Sequence, residues 1–243
     1  MASAQDNAPI WARPEPGARR PRFTREQLAE AALAIADTEG FDAVSMRKVA
    51  GHLGAGTMTL YYYVRTKDDL IALMDDAIME QVLLEEVPTH WYTALTAISV
   101  RTREVLIRHP WALTSLQNAR VGPNAMRHAE QTFAALADTA LGPEQRYLVM
   151  ATVDDYVHGN ALRCGQSKAH SAMEDAELTA ATEFAESVMD SGVFPHTAAI
   201  YRDPAGQEAL RGLLTEEGEL RRFTIGLRAI LLGLAAELGL TVS

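Results

Sequence analysis

From Leu28 to Leu238 apolar side chains recur at intervals of three and four residues, and the runs break at glycine or proline. No segment reads convincingly as a strand. A chain patterned in this way must bury helical stripes against one another, so the expected fold is all-α. Its 243 residues suffice for a small domain joined to a larger one. Although 48% of the residues are hydrophobic, no apolar run reaches the roughly 18 uncharged residues that a membrane-spanning helix needs. The opening MASAQDNAPIW lacks both the basic and apolar blocks of a secretory signal and an Arg-rich transit pattern, so a cytoplasmic location is expected. The single cysteine, Cys164, sits on an apolar helical pattern and reads as a small buried hydrophobe.

The runs and their stops predict the elements. Thr24 and Gln27 have the spacing of a capping box, and Leu28, Ala31, Ala32, Ile35 and Ala36 then share a face until Gly40, giving helix 1 over about 25–39. Ser45 can cap a short second helix with Met46, Val49, Ala50 and Leu53 on one side, ended by Gly54-Ala55-Gly56. A third short helix covers Thr57 to Tyr63. Thr66 caps a fourth, with Asp68 and Asp69 at its positive end and Leu70, Leu73, Met74, Ala77 and Ile78 as its buried stripe, expected to run to about Glu86. Beyond Pro88, segments 91–108, 124–139, 144–164, 172–190 and 219–238 carry helical spacing, with breaks at Pro110, Gly122-Pro123, Gly142-Pro143 and around Gly192 to Pro204.

The formal charge of -10 argues against nucleic-acid binding until its distribution is considered. Residues 1–67 hold nine Lys plus Arg against seven Asp plus Glu, a net of +2, and the remainder carries -12. Arg13, Arg19, Arg20, Arg22 and Arg25 crowd one segment that Pro14, Pro16, Gly17 and Pro21 keep from forming a helix. The organisation expected is a flexible basic arm (1–22), a DNA-binding domain (23–68) and a larger helical domain (69–243).

Two short helices around a glycine turn, the second rich in hydroxyl and aromatic groups, are what a helix-turn-helix reader of the major groove requires. The stretch ADTEGFDAVSMRKVAGHLGAGTMTLYYYVRTKDDLIALM resembles the DNA-binding domain of the tetracycline-repressor (TetR) family. Leu53-Gly54, Leu60-Tyr61, Val64, Lys67 and Leu70 fall where that family places them, over about residues 24–80. IWARPEPGARRPRFTR resembles the N-terminal extension of a subgroup, and HPWALTSLQNARVGPNAMRHAE the start of that subgroup's ligand-binding domain. The resemblance implies a three-helix helix-turn-helix domain joined by a shared helix to a C-terminal bundle that binds an effector and dimerises. It further implies a ligand-responsive regulator, a repressor by preference, released from a palindromic operator.

Leu60 and Val64 are expected to form the buried back of the recognition helix. Thr57 and Thr59 can hydrogen-bond phosphates or bases, Met58 can touch a thymine methyl, and Tyr61, Tyr62 and Tyr63 offer flat faces with hydroxyl tips. Helical geometry cannot expose all three tyrosines; Tyr61 is the candidate for the inside and Tyr62 for DNA contact. Tyr63 stands where histidine is frequent in the family, and a phenol carries no positive charge. By the resemblance, Lys67 binds phosphate and Arg47 reaches guanine. Lys48 and Ser45 are further backbone contacts, and Arg19, Arg20 and Arg22 are poised for the minor groove.

In 219–238, Phe223, Leu227, Ile230, Leu231, Leu234 and Leu238 share one face, and Gly226, Ala229, Gly233 and Ala236 a neighbouring one. The small-residue face permits close approach, and the family resemblance pairs this helix with 144–164 in a four-helix homodimer interface. Asp154, Asp155, Tyr156, His158 and Asn160 give 144–164 an unusual polar density, as expected of an effector pocket. The residues expected to bind ligand are Trp91, Trp111, Asn118, Met126, Phe133, Asp155, Tyr156 and His158. Asp155 and His158 lack an accompanying nucleophile motif or oxyanion loop, so no catalysis is expected. No two of the seven histidines have i, i+4 spacing, and neither metal nor cofactor is expected. A histidine position of the tetracycline repressors falls on Leu83 here, which points to a largely apolar effector other than tetracycline. The competing reading is a helical small-molecule-binding protein that does not read DNA.

Overall fold

The computed structural model describes residues 8–14, 22–116, 121–170 and 175–242. Among these residues there are twelve α-helices, two 3-10 turns and no strand. In order the helices are α1 (Arg25–Glu39), α2 (Met46–His52), α3 (Thr57–Leu60), α4 (Lys67–Val82), α5 (Trp91–Arg108), α6 (Ala112–Ser115), α7 (Pro123–Ala135) and α8 (Pro143–His170). They continue with α9 (Asp175–Asp190), α10 (Pro195–Arg202), α11 (Pro204–Leu213) and α12 (Glu216–Leu238). Residues 1–161 form one compact unit and 162–243 a second, with the division inside α8.

Local sequence explains the starts. Thr24 and Gln27 close the reciprocal capping box of α1, Ser45 accepts from the Lys48 N–H at the start of α2, and Thr66 accepts from the Asp69 N–H at the start of α4. Gly54, at φ 64°, turns the chain between α2 and α3 in a conformation that a Cβ would oppose. Several boundaries differ from expectation: α7 ends at Ala135 rather than near 139, and α8 runs on to His170 rather than 164. Helix α3 stops at Leu60, and Leu83 turns to extended backbone ahead of Pro88, so α4 ends before Glu86. The region read as a break from Gly192 to Pro204 contains α10, because Pro195 and Pro204 each occupy the first turn of a helix, where a missing N–H costs nothing.

The front of the arm is docked rather than free. Ile10–Ala12 form a 3-10 turn, and Ile10 is 1% exposed. The Arg25 guanidinium donates to the carbonyls of Ile10 (2.9 Å) and Arg13 (3.0 Å), while Arg13 pairs with Asp69. The apolar Ile10 explains the difference: burying its side chain contributes about 2 kcal/mol, enough to offset the ordering of a short turn. Arg19 and Arg20 lie outside the described residues.

Helix α4 is the hub of the first unit, packing against α1, α5, α6 and α7. Leu70, Met74 and Ile78 are fully buried, and so, nearly, are three carboxylates. Asp69 accepts from Arg13 and the Arg65 N–H; burial alone would raise it, but these donors hold it below the usual carboxylate range. Asp75 accepts from the Ser115 hydroxyl of α6. Burial with this single partner pushes Asp75 up to about 6. Asp76 accepts from the Asn124 N–H (2.8 Å) and side-chain amide (2.9 Å) at the first turn of α7. A Cβ on Gly122 would lie 2.2 Å from the Asp76 carboxylate, so only glycine admits this approach.

In the second unit α9 packs on α10, α10 on α11 and α11 on α12. Helix α12 buries Phe223, Leu227, Leu231 and Ala235. Its opposite face, carrying Ile225, Ala229, Leu232 and Ala236, is exposed within the chain. Gly239, left-handed at φ 69°, ends the helix with an N–H bond to the Ala235 carbonyl.

Two stability measurements follow. Ile10→Ala removes a fully buried side chain and is expected to cost about 2–4 kcal/mol in chemical denaturation, against nothing measurable if residues 8–14 were undocked. Asp75→Asn keeps an acceptor for Ser115 and removes the buried charge. Because the folded-state pKa of Asp75 is raised, its ionisation penalty is full above about pH 6 and absent below about pH 4. The variant should therefore gain about 1–3 kcal/mol near pH 8, and the gain should shrink towards zero near pH 4 in thermal melts.

Candidate functional site

Two places concentrate groups without an evident structural use. The first is the surface around α3. Leu60 and Val64 are fully buried and anchor this element against the rest of the first unit, as expected. Outward, Met58 is 80% exposed, Tyr62 60% and Tyr61 45%, with Thr57 and Thr59 half-buried beside them. Arg47 on α2 and Lys67 at the first turn of α4 are exposed. The tyrosine assignment changes. Tyr63, not Tyr61, is the inward residue at 7% exposure: its hydroxyl accepts from the Phe23 N–H at 3.1 Å and its ring meets Phe23 edge-on. The cause is that α3 closes at Leu60, so 61–63 form a turn whose last residue follows Leu60 inward.

Three further residues have partners inside the chain. Lys48 pairs with Glu39, Ser45 caps α2, and Arg22 donates to the Gly54 carbonyl at 2.9 Å while lying over the Phe23 ring. Arg22 is thereby held at the turn of the helix-turn-helix. A groove of about 440 Å³ runs between the docked arm and the tyrosines, with Arg13, Arg25 and Arg65 in its wall. The surface thus offers aromatic, apolar and cationic groups together.

The second place is a cavity of about 240 Å³ within the first unit. Helix α4 supplies Asp75, Asp76, Met79 and Val82 to its wall, and α5 supplies Thr102 and Leu106. Leu116 after α6, Val121 and Gly122, Ala125 and His128 of α7, and Asp154 and His158 of α8 complete it. Its polar groups are perturbed by their surroundings. Burial pushes Asp154 up to about 6, against the pull of His158 and with the push of Asp155. Burial, helped by His158, pulls His128 down to about 4, so that the ring is neutral at physiological pH. The Nδ1 of His128 is buried without a hydrogen-bond partner.

Of the expected ligand contacts, His158 alone lines this cavity, and Asn118 lies outside the described residues. Asp155 is exposed, Met126 is 61% exposed, and Tyr156 and Phe133 are half-buried without reaching the cavity. Trp91 is buried at the start of α5. Trp111 packs elsewhere: its indole N–H donates to Asp37 of α1 at 2.7 Å, and its ring stacks on Phe41 at 5.6 Å. His109 joins the same carboxylate at 2.7 Å. The sequence reading missed Asp75, Asp76 and His128. The available signal was the adjacent pair of acids inside the α4 stripe, flanked by apolar residues on both sides.

Residues 28–74 match the family model described as bacterial regulatory proteins, tetR family, and residues 86–238 match the tetracyclin repressor-like C-terminal domain. An HTH-type transcriptional regulator of Saccharopolyspora erythraea is 37% identical over 164 residues, 65% of this chain and 69% of that protein. The HTH-type transcriptional repressor DrrR1 of Streptomyces coeruleorubidus is 33% identical over 199 residues, 78% of this chain and 73% of that protein. Among solved structures, ActR of Streptomyces coelicolor without ligand is 26% identical with a TM-score of 0.65, covering 91% of this chain and 99% of that one. The same protein in complex with actinorhodin gives 26% and 0.65, over 88% and 96%. With both its DNA-binding and its C-terminal region matched, the chain belongs to the TetR family of transcriptional regulators.

Proposed function

We propose that the chain is a homodimeric repressor that reads a palindromic operator through Thr57–Tyr62 and leaves it when a small molecule fills the cavity between α4 and α8. The observation that carries the DNA half is the outward set of Met58, Tyr61 and Tyr62 on an element whose back, Leu60 and Val64, is fully buried. Arg47 adds a fork suited to guanine, and Lys67 at a helix N-terminus suits a phosphate. Arg19 and Arg20, next to Arg22 in sequence, supply cations of the kind that enter a minor groove, and duplex binding by such groups is salt-sensitive. Tyr63 contributes by holding Phe23, and Lys48 and Ser45 by fixing α2.

Two recognition elements must meet major grooves about 34–36 Å apart, which needs two subunits. The exposed apolar stripe of α12 (Ile225, Ala229, Leu232, Ala236) supports this: such a face is costly to leave in water, and a second copy covers it. ActR in complex with actinorhodin supports a small organic effector. The cytoplasm is where such a repressor meets DNA, and nothing in the site calls for a catalytic role.

Coupling is assigned to α4 and α6. Trp111 and His109 bind Asp37 of α1, and one turn later Ser115 holds Asp75 and Leu116 enters the cavity wall. A ligand that displaces Leu116 or competes for Asp75 strains the same short helix that grips the DNA-binding domain. Release then follows from the effector's differential affinity for the two arrangements, and operator binding weakens effector binding by the same factor.

Titrations with duplex from the chain's own upstream region test the DNA half. Tyr62→Ala and Arg47→Ala should each weaken binding at least about tenfold. Lys67→Ala, and Arg19→Ala with Arg20→Ala, should lower the slope of affinity against salt by about one and two. Unchanged affinity and slope in all of these would overturn operator binding by this surface. Ile225→Glu with Leu232→Glu, both exposed in the chain, should convert dimer to folded monomer in sedimentation and abolish operator binding; an unaltered dimer would show that α12 is not the interface.

A further inference from the structure

The effector cavity has an unusual polar balance for a ligand site. Its described lining includes three carboxylates, Asp75, Asp76 and Asp154, and no lysine or arginine. Asp75 and Asp76 have protein donors, Ser115 and the first turn of α7. Asp154 has none: its carboxylate makes no hydrogen bond and feels only His158 and Asp155. A mostly desolvated carboxylate without a donor is costly, and a binding partner that supplies the donor recovers that cost.

Two other polar groups of the wall also accept. The Nδ1 of His158 lies 2.8 Å from the Asp154 carbonyl, and since a carbonyl only accepts, that nitrogen carries the hydrogen. In a neutral ring Nε2 is then the acceptor. Thr102 donates its hydroxyl hydrogen to the Ile98 carbonyl at 2.9 Å and keeps only lone pairs for the cavity. His128, more than nine-tenths buried, lines the cavity with Nδ1 unpartnered. Among the described residues no group of three metal-ligating side chains converges. The walls between these groups, Met79, Val82, Leu106, Leu116 and Ala125, are apolar.

We infer that the effector is an amine that binds as its ammonium ion, with the N–H groups directed to Asp154 and His128 and an apolar body against Leu106 and Leu116. Three acceptors without a free donor, beside an unpartnered imidazole nitrogen whose neutral ring can accept, fit a ligand rich in N–H and reject an anion. This assignment rests on the cavity being the effector site and narrows the chemistry of what enters it. It also refines the sequence expectation of a largely apolar effector: the body is apolar, and one end is charged.

Acidity gives the assignment a direction. The groups facing the bound ammonium are Asp75 and Asp76 of α4, His128 of α7 and Asp154 with His158 of α8; Asp155 lies next to Asp154, and Arg103 of α5 is engaged with Asn160 at 2.8 Å. Asp154 loses its charge as pH falls through about 6, while an alkylamine stays protonated throughout. His128, pulled down to about 4, stays neutral over this range, so the loss of the Asp154 charge makes ammonium affinity fall on acidification.

The test is calorimetric titration of the full dimer with naphthylmethylamine, naphthylmethanol and naphthoate, near pH 7.5 and near pH 5. The amine is expected to bind at least about tenfold tighter than the alcohol near pH 7.5, to lose most of that advantage near pH 5, and naphthoate is expected not to bind. Asp154→Asn should bring the amine to the affinity of the alcohol and leave the alcohol unchanged. Ala125→Trp, which fills the cavity, should abolish both. Equal binding of amine and alcohol, both abolished by Ala125→Trp, overturns the ammonium assignment and leaves the cavity as the effector site. Absence of amine binding also overturns the assignment. Binding that survives Ala125→Trp undisturbed overturns the cavity reading itself.

Discussion

A carboxylate inside a folded chain persists only where donors replace the water it has lost. Helix α4 carries three, and each is tied to a different neighbour: Asp69 to the docked arm, Asp75 to α6, and Asp76 to the first turn of α7. These ties, more than the apolar stripe, decide what α4 can do. Apolar contacts are non-directional and tolerate a sliding helix, whereas a buried carboxylate that leaves its donor costs several kcal/mol. The helix that begins at Lys67 therefore moves only together with the segments that donate to it.

That constraint physically links the cavity to the surface at the other end of the helix. Lys67 and Asp75 are eight residues apart, about 12 Å along the helix axis. Asp75 faces the cavity through a single side-chain hydroxyl partner, and its raised pKa reports that it is under-satisfied there. Ser115, which provides that partner, is one turn from Trp111 and its bond to Asp37 of α1. The first unit thus contains both the surface around α3 and the cavity within one connected core, and the chain divides only later, within α8.

Much of the architecture around α3 was legible from residue type and order. The caps at Thr24, Ser45 and Thr66 need only neighbours three residues away, and the buried back at Leu60 and Val64 follows from helical spacing. The tyrosine run was misassigned because helical phase was assumed through Tyr63, whereas α3 ends at Leu60 and a turn sends Tyr63 inward to Phe23. The cavity was barely legible. Trp91, Trp111, Met126 and Phe133 are large and apolar, yet size says nothing about which helix lies opposite; Trp111 met α1 instead. Asp75 and Asp76 were passed over because acids default to solvent, and His128 because one histidine on α7 signals nothing by itself.

The order of residues alone determined that this chain is helical, where most helices begin, that the element after Gly56 is short, and which family it belongs to, because caps, breaks and apolar spacing act over one or two turns. Tertiary structure decided which carboxylates are inside, which tyrosine is structural, that Ile10 of the arm is part of the core, and which side chains enclose the cavity. Those outcomes depend on helices far apart in sequence meeting at a particular angle, and the energy of a buried charge is set by donors the neighbouring helix brings, which no local pattern encodes.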